Sequence, residues 1–440
     1  MERNLLGLLV LLVGIYYSYS RYSISKEREV IRTTVGEFIS GDIVITPYID
    51  GEYSKEFPKE EVGINVEKVL CDNDSLGEYD SFEEKLKITN LTVRTKCNVY
   101  FVSPKSCGVN DNVKCISNRE ELFSLGEEVN NGDNKSNKIY YLTSDIDLGG
   151  KFDSNGNTLD GNISWTPIGT EDKPFSGVFD GNGHIISNMY ISSTSTGLFN
   201  YINKGKIKNL GIENAYIKNT SGAASSVVGT IRDGEFSNIY SNSVVDGYKT
   251  SGGLIYGIIN SRVKNSYFKG SLNSNGKQFG AGIVGYVTGS DSIIKNCYNL
   301  GSINGAYEAS GIVGGLQGMI DSCYNLGNIS GNQVGGIAGQ YYTPKSPRIY
   351  NSYNSGVISS GGGIVGEVYD NYDSNLIKNN YYLEGTASYG LYSISSNVGS
   401  EVLSKDKMPS VISIINKDNA FVEDINNING GYPVLKWQVK

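Results

Sequence analysis

Histidine is almost missing from this chain of 440 residues, where His184 stands alone. One imidazole cannot build a His-rich zinc site, and no Cys-x-x-Cys pair occurs to build a thiolate one, so no metal site is expected. Met (4), Trp (2) and Pro (9) are also scarce. Positive charge is in deficit, with 38 Lys and Arg against 46 Asp and Glu. The deficit is local: residues 26–90 hold 8 basic and 16 acidic side chains, which leaves 30 of each elsewhere. No basic stripe able to neutralise a row of phosphates is present, which excludes nucleic acid as a partner. No cofactor is expected either.

Long hydrophobic runs are lacking too, apart from residues 5–17, about thirteen apolar positions with Arg3 ahead of them. A comfortable membrane span takes about 20 residues, so the run reads as an export signal. Ser18-Tyr19-Ser20 offers small residues for cleavage, while Tyr16, Tyr17 and Tyr19 suit a membrane interface if the segment is kept. Residues 1–25 are therefore a signal peptide or membrane anchor, and the expected location is extracellular, at the cell surface or secreted. Cysteine usage agrees with export. Cys71 and Cys97 flank one small region, Cys107 and Cys115 close a short loop, and all four are disulfide candidates, although spacing alone does not fix connectivity.

What the chain has in abundance is Gly (55) and Tyr (32), a balance that favours extended structure with tight turns over helices. Residues 30–104 carry the acidic surplus and strand-like runs at 38–47, 86–93 and 97–102, which predicts a small β-sandwich serving as a solvated spacer. In residues 117–131, a capping Ser or Asn, acidic residues in the first turn and apolar positions 122, 125 and 129 predict a short amphipathic helix.

Repeats dominate the rest. Tyr240, Tyr267, Tyr298, Tyr324 and Tyr353 each follow an Asn or Ser by two positions, at intervals of 27, 31, 26 and 29. In phase with them run glycine-flanked apolar pairs such as Ile283-Val284, Ile312-Val313, Ile337-Ala338 and Ile364-Val365. Three short strands in such a period, joined by Gly and Asn, suit one coil of a parallel β-helix, whereas helical repeats conflict with this composition and propeller blades need about 40 residues or more. The expected fold is all-β: a right-handed parallel β-helix over 107–440, capped by the helix near 117–131. Equivalent residues should stack about 4.8 Å apart, with the recurring Asn as an inside ladder and the Ile-Val pairs as a core wall. Cys297 and Cys323 occupy equivalent positions and are expected to be free, buried thiols. The tyrosines read either as an exposed ladder for stacking sugars or as a buried stack.

Trp165-Thr166-Pro167-Ile168-Gly169, the run from Phe175 to Asn188, Gly197-Leu198-Phe199 and the glycine-flanked Ile-Val segments resemble bacterial surface proteins with GLUG-motif repeats. The Asn-Cys-Tyr-Asn-Leu-Gly block at 296–301 and the ending from Asn429 to Gln438 look like the same family, over roughly residues 115–440. The resemblance implies a secreted or anchored protein of Gram-positive, Firmicutes-type bacteria, similar to the non-catalytic repeats found beside IgA-specific zinc metallopeptidases. That enzyme needs His-Glu-x-x-His, and here His184 is followed by Ile185. No Leu-Pro-x-Thr-Gly sorting signal occurs near the C-terminus, which leaves the N-terminal segment as the visible anchor.

No catalytic residue is assigned. His184, in Asp180-Gly181-Asn182-Gly183-His184, reads as part of a turn. Asp145, Asp147, Asp160 and Asp180 fit no calcium-loop spacing and read as turn residues. The expected function is adhesion or ligand binding through the β-helix flank, to an extracellular glycan or protein. The alternative is a polysaccharide lyase or glycoside hydrolase using outward carboxylates, for which Asp160, Asp180 and Glu213 are the residues to test.

Overall fold

The computed structural model describes residues 40–45, 51–56, 65–71, 76–83, 85–91 and 95–439, apart from 277, 306, 342–346, 369–372 and 417–418. The apolar segment 5–17 lies outside the described residues. Among those described, no helix is long and apolar enough to cross a membrane. The chain divides into two compact units, Met1–Cys115 and Ile116–Lys440.

In the first unit, Thr95–Val102 lies between Ser40–Ile45 and Asn65–Cys71 in one three-stranded antiparallel sheet. Lys85–Leu91 lies between Gly51–Glu56 and Leu76–Asp80 in another. Leu86, Ile88, Val99 and Val102 are among its buried side chains.

The second unit is a parallel β-solenoid of about 10 turns. Arg119–Asn130 forms the helix at its start. Asn118 caps it by accepting from the Glu121 amide at 2.9 Å, while the Glu121 carboxylate takes the Ser117 amide at 2.6 Å. Leu122, Leu125 and Val129 are buried against the first coils. Phe123 meets Trp165 edge-on at 4.9 Å, and Asn130 receives the Gly169 amide at 2.7 Å, so the Trp-Thr-Pro-Ile-Gly segment fastens the cap.

Each regular coil holds five short strand segments where three were expected. One coil runs Arg262–Lys264, Tyr267–Phe268, Ser271–Ser274, Gly280–Ala281 and Val284–Thr288. The next repeats it at Ile293–Lys295, Tyr298–Asn299, Ser302–Gly305, Ala309–Ser310 and Val313–Leu316. Every equivalent pair is parallel and in register. The extra segments arise because tight corners cut the extended chain into pieces of two to five residues. Inside, Phe236, Val263, Ile294, Ile320 and Ile349 form one row, and Val284, Val313, Ala338 and Val365 face inward from the opposite wall.

The corner row departs from the expected inside ladder in part: Ser322 and Asn351 are buried, whereas Asn238 is exposed. Asn238, Asn265, Asn296, Ser322 and Asn351 sit at a corner with φ of 56, 50, 55, 53 and 52°, a conformation Asn tolerates better than most residues. The Asn238 and Asn265 side chains link along the outside of that corner, at 3.1 Å. The inner ladder is the second Asn of the repeat. Asn299 donates to Asn325 at 2.8 Å and Asn325 to Asn354 at 2.7 Å, and each also donates to the carbonyl two residues on. These amides are fully enclosed yet hydrogen-bonded, which removes the cost of burying them. Glycines of the opposite wall make room: a Cβ on Gly311 would lie 2.5 Å from the Asn325 side-chain oxygen.

Candidate functional site

Repetition turns the sequence period into straight rows on the outer surface. Tyr240, Tyr267, Tyr298, Tyr324 and Tyr353 form one such row in register, with ring centroids 5.1, 4.7, 4.9 and 5.0 Å apart and planes within 10° of parallel. Toward the C-terminus the ladder is a buried stack. Tyr240 and Tyr267 are half-buried, while Tyr324 and Tyr353 are 1% and 0% exposed. The chain's own C-terminal segment covers the buried end, with Met408, Val411, Ile415, Phe421 and Leu435 packed on it. Tyr353 donates to the Pro433 carbonyl at 2.5 Å and accepts from Asn429 at 2.7 Å. Burial pushes the Tyr298, Tyr324 and Tyr353 phenols up from their usual range.

Beside the uncovered end, a groove of about 450 Å³ opens on the flank. Its polar side is a second row, Glu213, Asn242 and Lys269, one residue from each of three successive coils. Glu213 accepts from Lys269 at 3.0 Å and from Asn242 at 2.9 Å. The Tyr240 hydroxyl also bonds to Glu213, and the Lys269 ammonium lies 5.0 Å from the Tyr240 ring centre. Partial burial raises the Glu213 carboxyl, but the hydrogen bonds from Lys269 and Asn242 outweigh it and hold the group below its usual range. Burial and the Glu213 charge push the Tyr240 phenol up to about 12.

The groove's depth comes from a third row whose side chains shrink from coil to coil: Tyr216, Val244 and Ser271 are register partners. Opposite the polar row stands Phe152, stacked on Tyr190 at 5.7 Å and tilted on Tyr216 at 5.8 Å. Its loop is held by Tyr216 and Tyr190, which donate to the Asn155 and Gly156 carbonyls at 3.0 and 3.2 Å.

The sequence-derived residues do not gather at one centre. Asp180 is 0% exposed and so is no outward carboxylate; it caps a corner, accepting from Asn182 at 2.8 Å and Asn209 at 2.9 Å. It is buried because its strand register aligns it with Lys208, whose ammonium lies 3.9 Å away. His184 meets Asp145 at 3.1 Å on a turn where Asn182 and Gly183 have φ of 51 and 82°. Asp147 accepts from the Gly149 amide at 2.8 Å, a turn role, and Asp160 is exposed. Only Glu213 enters the groove. Among the described residues, no group of three or more His, Cys, Asp or Glu side chains could hold a metal ion. Cys71 and Cys97 face each other in register and are bonded, as are Cys107 and Cys115; Cys297 and Cys323 are free and buried.

The groove escaped sequence reasoning because Asn242 and Lys269 are unremarkable singly. Counting one coil on from Glu213, and then another, is the signal that would have joined them.

No family model matches the sequence. Over 141 residues, 31% of this chain, it is 30% identical to halomucin of Haloquadratum walsbyi, and that stretch is 2% of the halomucin length. Among solved structures, a Bacteroides ovatus protein named for the immunoglobulin A1 proteases superimposes with a TM-score of 0.48 and 19% identity. The match covers 74% of this chain and 94% of that one. An IgA1 protease gives 0.47 and 14% identity over 86% of this chain and 29% of its own. Neither likeness transfers an activity to this chain.

Proposed function

We propose that this is an exported, surface-displayed protein that binds an extracellular ligand on the flank of its solenoid and does not cut it. The observation that carries the reading is the flank groove, where every charged group is already committed to a neighbour. A general acid or base works best with a pKa near the operating pH. In the groove the two groups best placed for proton transfer have moved the wrong way, Glu213 below its usual range and Tyr240 up to about 12. Such a row offers donors and acceptors to a ligand.

Export is supported by residues 5–17 and by the four paired cysteines, since disulfides persist in oxidising surroundings. The resemblance to GLUG-repeat surface proteins points the same way, with the acidic N-terminal unit as a spacer. Cell fractionation with a membrane-impermeant label, followed by mass spectrometry of the native protein, tests this. Two disulfides, free thiols only at Cys297 and Cys323, and label on intact cells are expected. Six free thiols in unlabelled cytoplasmic protein would refute it.

A further inference from the structure

The flank groove has the chemistry of a sugar subsite. We infer that it takes a pyranose ring of a neutral glycan, held between Phe152 and the row Glu213–Asn242–Lys269. The inference rests on the binding function proposed above and adds the class of ligand.

The groove, at about 450 Å³, falls within the range of roughly 300–1,000 Å³ usual for small-ligand sites. Its two sides differ in character. Phe152 is half-buried, with its ring braced by Tyr190 and Tyr216, so it presents an apolar surface that does not have to be ordered on binding. The facing row supplies a carboxylate that holds an amide and an ammonium at hydrogen-bond distance. A pyranose matches that pair of sides, because its C–H face is apolar and its rim of hydroxyls both donates and accepts. A lipid chain would strip water from the row's remaining donor and acceptor positions and offer nothing in exchange, which is costly.

Charge narrows the class further. Lys269 offsets Glu213, and Asp153 stands at the groove with its carboxylate engaged by Asn155 and Asn157. The lining therefore carries more negative than positive charge, which disfavours uronates and sulfated sugars and leaves neutral hexoses and N-acetylhexosamines. Spacing agrees with a chain of sugars. The polar row advances about 4.8 Å per coil along the solenoid axis, so successive coils offer successive handholds to an extended oligosaccharide.

The location is also set by the fold. The outward row that carries Asn242 and Lys269 continues as Leu300 and Leu326, and Leu326 packs under the C-terminal cover. Leu300 is already exposed, so in this row the cover stops one coil short of Lys269.

The test is a titration of the full chain against neutral oligosaccharides of glucose, galactose, mannose and N-acetylglucosamine, with uronate-containing oligosaccharides and extracellular matrix proteins as further arms. At least one neutral oligosaccharide is expected to bind, tenfold or more weaker in Lys269→Met and in Phe152→Ala. Lys269 is exposed, so its variant should melt with the wild type and keep the test valid if Phe152→Ala loosens its loop. Preference for the uronate arm, or neutral-sugar binding unchanged in Lys269→Met, overturns the inference. Binding of matrix protein alone also overturns it while leaving the wider binding function standing. Binding of nothing in any arm overturns both.

Discussion

Tyr324 and Gln438 lie 114 positions apart in the chain, yet the tyrosine hydroxyl donates to the glutamine side-chain oxygen at 3.0 Å. The same segment places Trp437, whose indole N–H donates to the Asn296 carbonyl at 3.0 Å, beside Tyr298 at 5.6 Å between ring centres. A parallel solenoid leaves its outer rows open along their whole length, and here the last residues of the chain close one of them.

Stability should register that closure. Tyr353→Phe removes the hydroxyl that bonds to both Pro433 and Asn429 inside the cover. Asn429 still donates to the Pro433 carbonyl at 3.0 Å, so the loss is that of the two hydroxyl bonds, about 1–3 kcal/mol in a denaturant melt. Tyr267→Phe, in the half-buried part of the ladder, should cost within about 0.5 kcal/mol. Equal losses in both variants would show that the cover does not discriminate along the row.

The walls make a second claim. Val284 is fully buried, so Val284→Asp places a charge in the core at a cost of several kcal/mol. Gly311→Ala sets a Cβ 2.5 Å from both the Asn325 side-chain oxygen and the Gly336 carbonyl, neither free to withdraw. Overpacking of that kind costs about 1–3 kcal/mol. A wild-type melting curve for Val284→Asp would mean that the inward face has been assigned to the wrong residues, and one for Gly311→Ala that the two walls are not in close contact.

Acidity should act in an unusual direction at Glu308. Glu308 as a residue is 8% exposed, and the Gln340 amide bridges its carboxyl at 3.1 Å to Glu367 at 2.5 Å. Burial, then the hydrogen bond and charge of Glu367, push it from 4.5 up to about 8. The folded state thus holds this proton more tightly than the unfolded chain, so stability is withdrawn as pH rises from about 4.5 to about 8. Glu308→Gln carries no titrating proton there. Its Tm relative to wild type should climb between pH about 5 and about 8.5. A difference independent of pH would contradict the raised carboxyl.

Much of this was legible in the sequence, and the reason is the repeat. The interval between tyrosines fixes which residues share a row, and the glycine-flanked Ile-Val pairs read directly as wall. The capping helix was equally plain from its N-cap and its apolar spacing at 122, 125 and 129. What periodicity cannot give is which side of the wall a polar residue takes. Asn296 and Asn299 are three positions apart in one motif, and only backbone geometry, φ of 55° at Asn296, puts the first at a half-buried corner and leaves the second in the enclosed ladder. Burial of Asp180 was hidden for a like reason, since it depends on the coil that follows. The groove depends on Phe152, which belongs to a loop between coils and obeys no period at all.

Whether the flank binds or cuts is decided by incubating the full chain with a panel of neutral and acidic polysaccharides, with and without calcium, and following new chain ends over time. No turnover is expected from the wild type. Chain cleavage that disappears in Glu213→Gln would contradict the binding function and make the solenoid a polysaccharide-cleaving enzyme.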